Sequence, residues 1–354
     1  MALLQTRRWT PPGRDNTPEA AQILLSVRDL ETRFFTKTGA VHAVNGVSFD
    51  LQRGERMAVV GESGSGKSVM ALSLLRLVSY PGRIVAGDVQ LNGRSLLDLS
   101  AGDLNNVRGK EVAMVFQDPM TSLNPVMRIE DQLLPPMLRH LDISPGQARE
   151  RALELMRLVG IPDEASRLRS YPHELSGGMR QRVLIAMALS CKPDLILADE
   201  PTTALDVTIQ AQIVALLKKL ADETGAAVLF VTHDLGLVAR FAQKVAVMYA
   251  GRFVEYGPIR EVFANPQHPY TRGLLRSIPS MSGPKTSRLA QIDGAPPDMK
   301  ALGEGCPFLA RCPEATNLCA MERPGLTERA PGHIAACWLT DSSEQRGDLV
   351  AVGS

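Results

Sequence analysis

Residues Gly61 to Ser68 read GESGSGKS, the G-x-x-x-x-G-K-[ST] spacing of a loop that holds phosphate. Gly61, Gly64 and Gly66 free the backbone to curl, with Ser63 and Ser65 between them, so that successive N–H groups face phosphate oxygens. A helix opening at Lys67, Ser68 and Val69 adds the positive end of its dipole. Lys67 would reach the β- and γ-phosphates of a nucleoside triphosphate, and the Ser68 hydroxyl would ligate Mg²⁺. The bland alternative is a glycine-rich turn with an incidental lysine. The flanks speak against it: Arg56 to Val60 is an apolar run of strand type, and Val69 to Leu75 reads as a helix.

Two further places offer matching chemistry. Leu195 to Glu200 is an apolar strand ending in two carboxylates, with Pro201 behind them. Asp199 stands where a Mg²⁺ ligand would, and Glu200 where a group could orient and deprotonate an attacking water. A solvated strand end is the alternative. Ser176-Gly177-Gly178 opens a long helix and so makes a second anion site, over a hundred residues after the first. Both could grip one γ-phosphate if two molecules faced each other.

The elements that must position these groups alternate. Ile23 to Phe35 and Ala43 to Leu51 read as antiparallel strands, and Val89 to Leu91 before Asn92-Gly93 as a hairpin. Phe34 and Phe35 could stack on a base or pack in the core. Glu111 to Phe116 is a buried strand running into Gln117. Ile129 to Leu168 is a helical insertion with breaks near Ser144-Pro145-Gly146 and Ile161-Pro162. A helix from Met179 to about Ser190, a helix from Val207 to Ala221 and a strand from Ala226 to Thr232 follow, the last ending at His233. Strands alternating with helices after such a loop predict a mainly parallel α/β sheet.

Composition sets the bounds. A chain of 354 residues holds one large domain with an appendage, or two domains, and a formal charge of +1 gives no case for a nucleic-acid surface. No apolar run reaches about eighteen residues, and the N-terminal stretch lacks the apolar segment of a secretion signal. Residues 1–22 read as a disordered tail. Five cysteines without such a signal point to a reducing compartment.

Leu175 to Arg182, LSGGMRQR, resembles the signature of ATP-binding cassette (ABC) ATPases, and the order of six motifs is similar to that family from about Ile23 to Gly257. The resemblance implies a P-loop fold in 23–258, with a RecA-like core, an antiparallel β subdomain and a helical subdomain at about 120–185. It implies ATP held between two cassettes paired head to tail. Phe34 aligns with the base-stacking aromatic. Gln117 would ligate Mg²⁺ with Ser68 and Asp199 and couple the γ-phosphate to the helical insertion. Ser176, Gly177, Gly178 and Gln181 would serve the partner's ATP, Asp206 would contact the partner, and His233 would brace the γ-phosphate. Lys67, Gln117, Glu200 and His233 form the implied catalytic set.

Asn265 to Leu275, NPQHPYTRGLL, resembles a segment of the ATPases of oligopeptide, dipeptide and nickel importers. Read from the residues it is a Pro-rich turn into a short helix, and His268 is given no chemistry. Beyond it Cys306, Cys312, Cys319 and Cys337 are separated by five, six and seventeen residues, within a module at 259–340 followed by a flexible tail at 341–354. Four thiolates can hold zinc or an iron–sulfur cluster; the wide gaps and the Cys–Pro steps lean toward [4Fe–4S], as the importer resemblance also implies, and free thiols are the alternative. Cys191 reads as packing. The importer resemblance further implies a related but different second ATPase, two transmembrane permease subunits, a substrate-binding protein and the cytoplasmic face of the cell membrane. Rivals are the same motor with nickel as cargo, and a soluble ABC ATPase of repair or translation.

Overall fold

The computed structural model describes residues 23–203, 205–278 and 292–340; the tails expected at 1–22 and 341–354 lie outside them. β1 (Ile23–Thr36) and β2 (Gly39–Gln52) alternate buried with exposed side chains and pair antiparallel, and β4 (Gly82–Leu91) takes the other edge of β1. β5 (Arg94–Ser95) returns along β4 through Asn92 and Gly93, whose φ values of +52° and +75° are those a two-residue hairpin turn of right-handed twist requires.

The second sheet is built on β3 (Arg56–Val60), β6 (Val112–Val115), β7 (Leu195–Asp199), β8 (Ala227–Thr232), β9 (Lys244–Tyr249) and β10 (Arg252–Pro258). β9, β3, β8, β7 and β6 lie side by side and parallel, which requires both faces to be covered; accordingly β7 and β8 are buried at every position. One face packs on the antiparallel sheet through Met57, Val59, Leu197 and Leu229; the other packs on helices through Ala58, Val60, Ala198 and Phe230. Because the central strands point the same way, the loops after β3, β6, β7 and β8 emerge along one edge. They carry Gly61–Lys67, Gln117, Glu200 and His233 in that order.

The insertion folds as helices Ile129–His140, Pro145–Leu158 and Glu164–Arg169, with the breaks where the sequence placed them. Ser144 and Gln147 form a reciprocal capping box, and Ile129, Leu133, Met137, Ala152, Met156 and Leu168 bury their side chains together. Cys191 is buried with its Sγ 3.5 Å from the Pro136 carbonyl oxygen, a packing position.

The sheet does not stop at 258. β12 (His333–Ala335) pairs antiparallel with β10, and β11 (Thr327–Ala330) with β12, so the C-terminal region extends the same sheet. The Glu255 carboxylate, fully buried on β10, accepts from the backbone N–H of Gln267 (2.7 Å) and His268 (2.9 Å) and meets His333 Nε2 at 2.8 Å. His268 Nδ1 accepts from the Tyr270 N–H at 3.0 Å and so caps the helix Pro269–Arg276.

Burial pushes the His268 pKa down to about 4. The folded chain therefore keeps this imidazole neutral while the unfolded chain protonates it below about 6.5. Its contribution is fully present above that pH and is lost as pH falls toward 4, a loss of about 3 kcal/mol across the window. His268→Asn keeps a capping oxygen and removes the titration. Its urea midpoint should fall less steeply between pH 6.5 and 4 than that of the unaltered chain; parallel curves would refute the assignment.

Candidate nucleotide site

Gly61, Gly64 and Gly66 take φ values of +156°, +77° and +106°, and the helix Lys67–Leu74 starts directly from Gly66 with no side chain capping it. The first N–H groups of that helix are thus left for an outside acceptor. Ser63 and Gly64 are exposed, while the Ser65 hydroxyl is buried without a hydrogen-bond partner.

Lys67 is only 4% exposed, and its Nζ donates to the carbonyl oxygens of Gly61 and Glu62, each at 2.9 Å. Burial pulls its pKa down, and the carboxylates of Glu200, Asp199 and Glu62 oppose that shift. Ser68 Oγ donates to Asp199 Oδ1 at 2.9 Å; burial pushes the Asp199 carboxyl up, against the pull of that hydrogen bond. A hydroxyl and a half-dehydrated carboxylate beside a phosphate loop are the hard oxygen donors Mg²⁺ takes, so the residues fit that ion.

Glu200 has a φ of +42° and a side chain 13% exposed. Gln117 Nε2 (3.2 Å) and Thr203 Oγ1 (2.9 Å) donate to its Oε2, and His233 Nδ1 lies 3.2 Å from its Oε1. The structure thus brings Lys67, Ser68, Gln117, Asp199, Glu200 and His233 together. Thr203 belongs to the same cluster, although the sequence marked only Asp206, three residues on, as a site residue. The His233 side chain is 60% exposed.

The other predicted residues form a separate surface. Ser176 Oγ accepts from Met179 N–H and starts the helix Gly177–Leu189, leaving Ser176 and Gly177 exposed. A Cβ on Gly178 would lie 3.1 Å from Ile209 Cγ2, and Asp206 caps the helix Val207–Thr224, so signature and Asp206 sit beside each other. Among the described residues no hydrogen bond joins Ser176, Gly177 or Gly178 to the 61–68 loop. One chain therefore presents two half-sites. Gln181, farther along the same helix, is 1% exposed, and its Nε2 has no hydrogen-bond partner among the described residues.

Phe34 and Phe35 point to opposite faces of β1. Phe34 is half-buried with its edge against Gly82, and Phe35 is exposed with the Arg83 guanidinium 6.0 Å from its ring centre.

Cys306, Cys312, Cys319 and Cys337 line one small cavity. Burial pushes the thiols of Cys306, Cys312 and Cys337 up to about 11. Among the described residues no group of three or more Cys, His, Asp or Glu side chains is arranged to hold a metal ion. Nor is any helix among them long and apolar enough to cross a membrane.

Comparisons agree with this geometry. The family model described as ABC transporter matches residues 44–203, and that described as Oligopeptide/dipeptide transporter, C-terminal region matches 254–319. The chain is 51% identical over 322 residues to a probable peptide ABC transporter ATP-binding protein of Sinorhizobium fredii, covering 91% of this chain and 96% of that protein. It is 48% identical to a dipeptide transport ATP-binding protein of Bacillus subtilis, covering 92% and 97%. It is also 48% identical to an oligopeptide transport ATP-binding protein of Escherichia coli, covering 90% and 94%. Among solved structures, a dimeric ATP-binding cassette in a post-hydrolysis state with ADP and Pi superposes with a TM-score of 0.61 at 29% identity, over 67% of this chain and 99% of that one. With a formed phosphate loop, a carboxylate pair at the end of β7 met by His233 after β8, and relatives of near-equal length, the chain belongs to the ATP-binding proteins of the ABC transporter family, ATPases of P-loop fold.

Proposed function

We propose that this chain is the ATP-hydrolysing subunit of an importer of di- and oligopeptides, working at the cytoplasmic face of the cell membrane. The observation that carries this reading is the oligopeptide/dipeptide-type C-terminal region matched at 254–319, which begins within β10 of the sheet that carries the ATPase site. Its partners are a second, related ATPase chain, two transmembrane permease subunits and, through them, a substrate-binding protein.

ATP would sit on the 61–69 loop of one cassette and be closed over by Ser176, Gly177 and Gly178 of the other, with Asp206 at the contact. Phe34 would stack on the base. Lys67 would leave the loop carbonyls for the β- and γ-phosphates, exchanging neutral acceptors for anionic ones. Ser68, Asp199 and Gln117 are the residues that would hold Mg²⁺, which neutralises phosphate charge when bound. Glu200 would take a proton from the attacking water while His233 braces that water and the γ-phosphate. Gln117, already hydrogen-bonded to Glu200 and leading into the helical insertion, would pass the state of the site to the permeases.

The four cysteines are retained as candidate ligands of a [4Fe–4S] cluster, with zinc the alternative; four sulfurs on one cavity are what supports this. Iron, sulfide and zinc quantification on anaerobically purified protein, with its visible absorption, decides among cluster, zinc and free thiols.

The test of function is uptake in the native host carrying Glu200→Gln, with labelled dipeptides, oligopeptides and nickel in parallel. Peptide uptake should be lost and nickel uptake kept. Loss of nickel alone would move the chain to a metal importer, and retention of both in a host without a redundant system would reject an importer role for these cargoes.

A further inference from the structure

The phosphate loop carries a residue whose side chain faces away from the nucleotide chemistry and into the C-terminal region. Glu62 accepts two parallel hydrogen bonds from Arg311, Nη1 to Oε2 at 2.6 Å and Nη2 to Oε1 at 2.9 Å. The Arg311 side chain is 4% exposed and is fixed by four other groups. Nε donates to the Asp293 carbonyl (3.0 Å), Nη2 to the Ile292 carbonyl (3.1 Å) and Nη1 to the Tyr249 hydroxyl (3.4 Å), and the guanidinium lies 5.9 Å from the Phe308 ring centre. A second contact lands on the same loop residue: the Glu62 backbone N–H donates to the Tyr270 hydroxyl at 2.8 Å.

The Glu62 carbonyl is in turn one of the two acceptors of Lys67 Nζ, and it also receives the Ser65 N–H at 3.2 Å. The C-terminal region therefore holds the side chain and the N–H of one residue whose C=O holds the catalytic lysine. A planar guanidinium with two matched bonds and little exposure fixes direction as well as distance. We propose that Arg311 is a positioning residue for the phosphate loop: through Glu62, and together with Tyr270, it sets the loop geometry that admits ATP, so that nucleotide affinity depends on the C-terminal region. This builds on the ATPase chemistry but not on the cargo.

The test is equilibrium binding of a fluorescent ATP analogue with Mg²⁺ to the full chain, read beside thermal unfolding. Arg311→Met should weaken binding about tenfold, and Glu62→Ala likewise, with the double substitution no worse than either alone. Tyr270→Phe, which keeps the ring and removes only the hydroxyl bonded to the loop, should weaken binding about threefold with the unfolding temperature nearly unchanged. Arg272→Gln, which breaks the ion pair with Glu314 in the same region, should leave affinity unaltered. If Arg311→Met unfolds the chain, Tyr270→Phe and the Glu62→Ala pair carry the decision. Unaltered affinity in a folded Arg311→Met or Tyr270→Phe chain, or strict additivity of Arg311→Met with Glu62→Ala, overturns the proposal. A failure of the Glu200 role is read separately, as turnover with unaltered binding.

Discussion

Glu200→Gln should lower ATP turnover about 10²–10⁴-fold while leaving ATP binding within about threefold of the unaltered chain. The carboxylate is held from three sides, by Gln117 Nε2, Thr203 Oγ1 and His233 Nδ1, and little of it meets solvent. Glutamine has the same size and keeps one carbonyl oxygen for Gln117 or Thr203, so the loop, with its left-handed residue at position 200, has no steric reason to move. What disappears is the capacity to accept a proton from water, and with it the charge that orients His233. The substituted chain should bind ATP, pair with its partner and remain paired. Phosphate release and size-exclusion mass with ATP measure the two halves. Turnover within a few fold of the unaltered protein would remove Glu200 from the role of base.

Gly66→Ala should abolish nucleotide binding by a purely geometric route. The residue has a φ of +106°, and a Cβ there would run into the Ala43 carbonyl oxygen and lie 2.9 Å from Met248 Cε. Met248 Cε is the end of a flexible side chain and can give; the Ala43 carbonyl is β2 backbone and cannot do so cheaply. The loop must shift instead, displacing the N–H groups of Lys67 and Ser68 that open the helix. Strain of about 3 kcal/mol corresponds to a loss of at least about a hundredfold in affinity. Gly64→Ala is the matched control. Its φ of +77° costs conformational energy, but no atom lies within 4 Å of the added methyl, so a modest loss is expected. Binding isotherms for the two should differ by more than tenfold; equal losses would show that backbone conformation alone, and not contact with Ala43, decides.

Both effects bear on how the motor would work. Lys67 and Asp199 are held partly dehydrated and close to opposite charge, which costs stability until an anion and a cation arrive. Binding energy from ATP and Mg²⁺ then repairs that cost and is available to close two half-sites over one nucleotide.

The phosphate loop, the strand-end carboxylates, the signature helix and the strands that carry them are legible in the residues alone. Each depends on a short-range rule: glycine where φ is positive, an apolar run where a strand is buried on both faces, Ser or Asp where a helix begins. The hairpin at Asn92-Gly93 and the helix break at Ser144-Pro145-Gly146 were legible for the same reason. Strand alternation also implied that parallel strands would deliver Gln117, Glu200 and His233 to one edge. Features that depend on distant pairing come from the folded chain instead. Gln181 is almost fully buried, which follows from how its helix packs on its neighbours and not from the spacing of its motif. β12 joins β10, making the C-terminal region part of the catalytic sheet, although nothing in HIA distinguishes it from loop. Arg311 meets Glu62 across 249 positions, a contact that no local spacing encodes, because it follows from where the folded sheet places two loops.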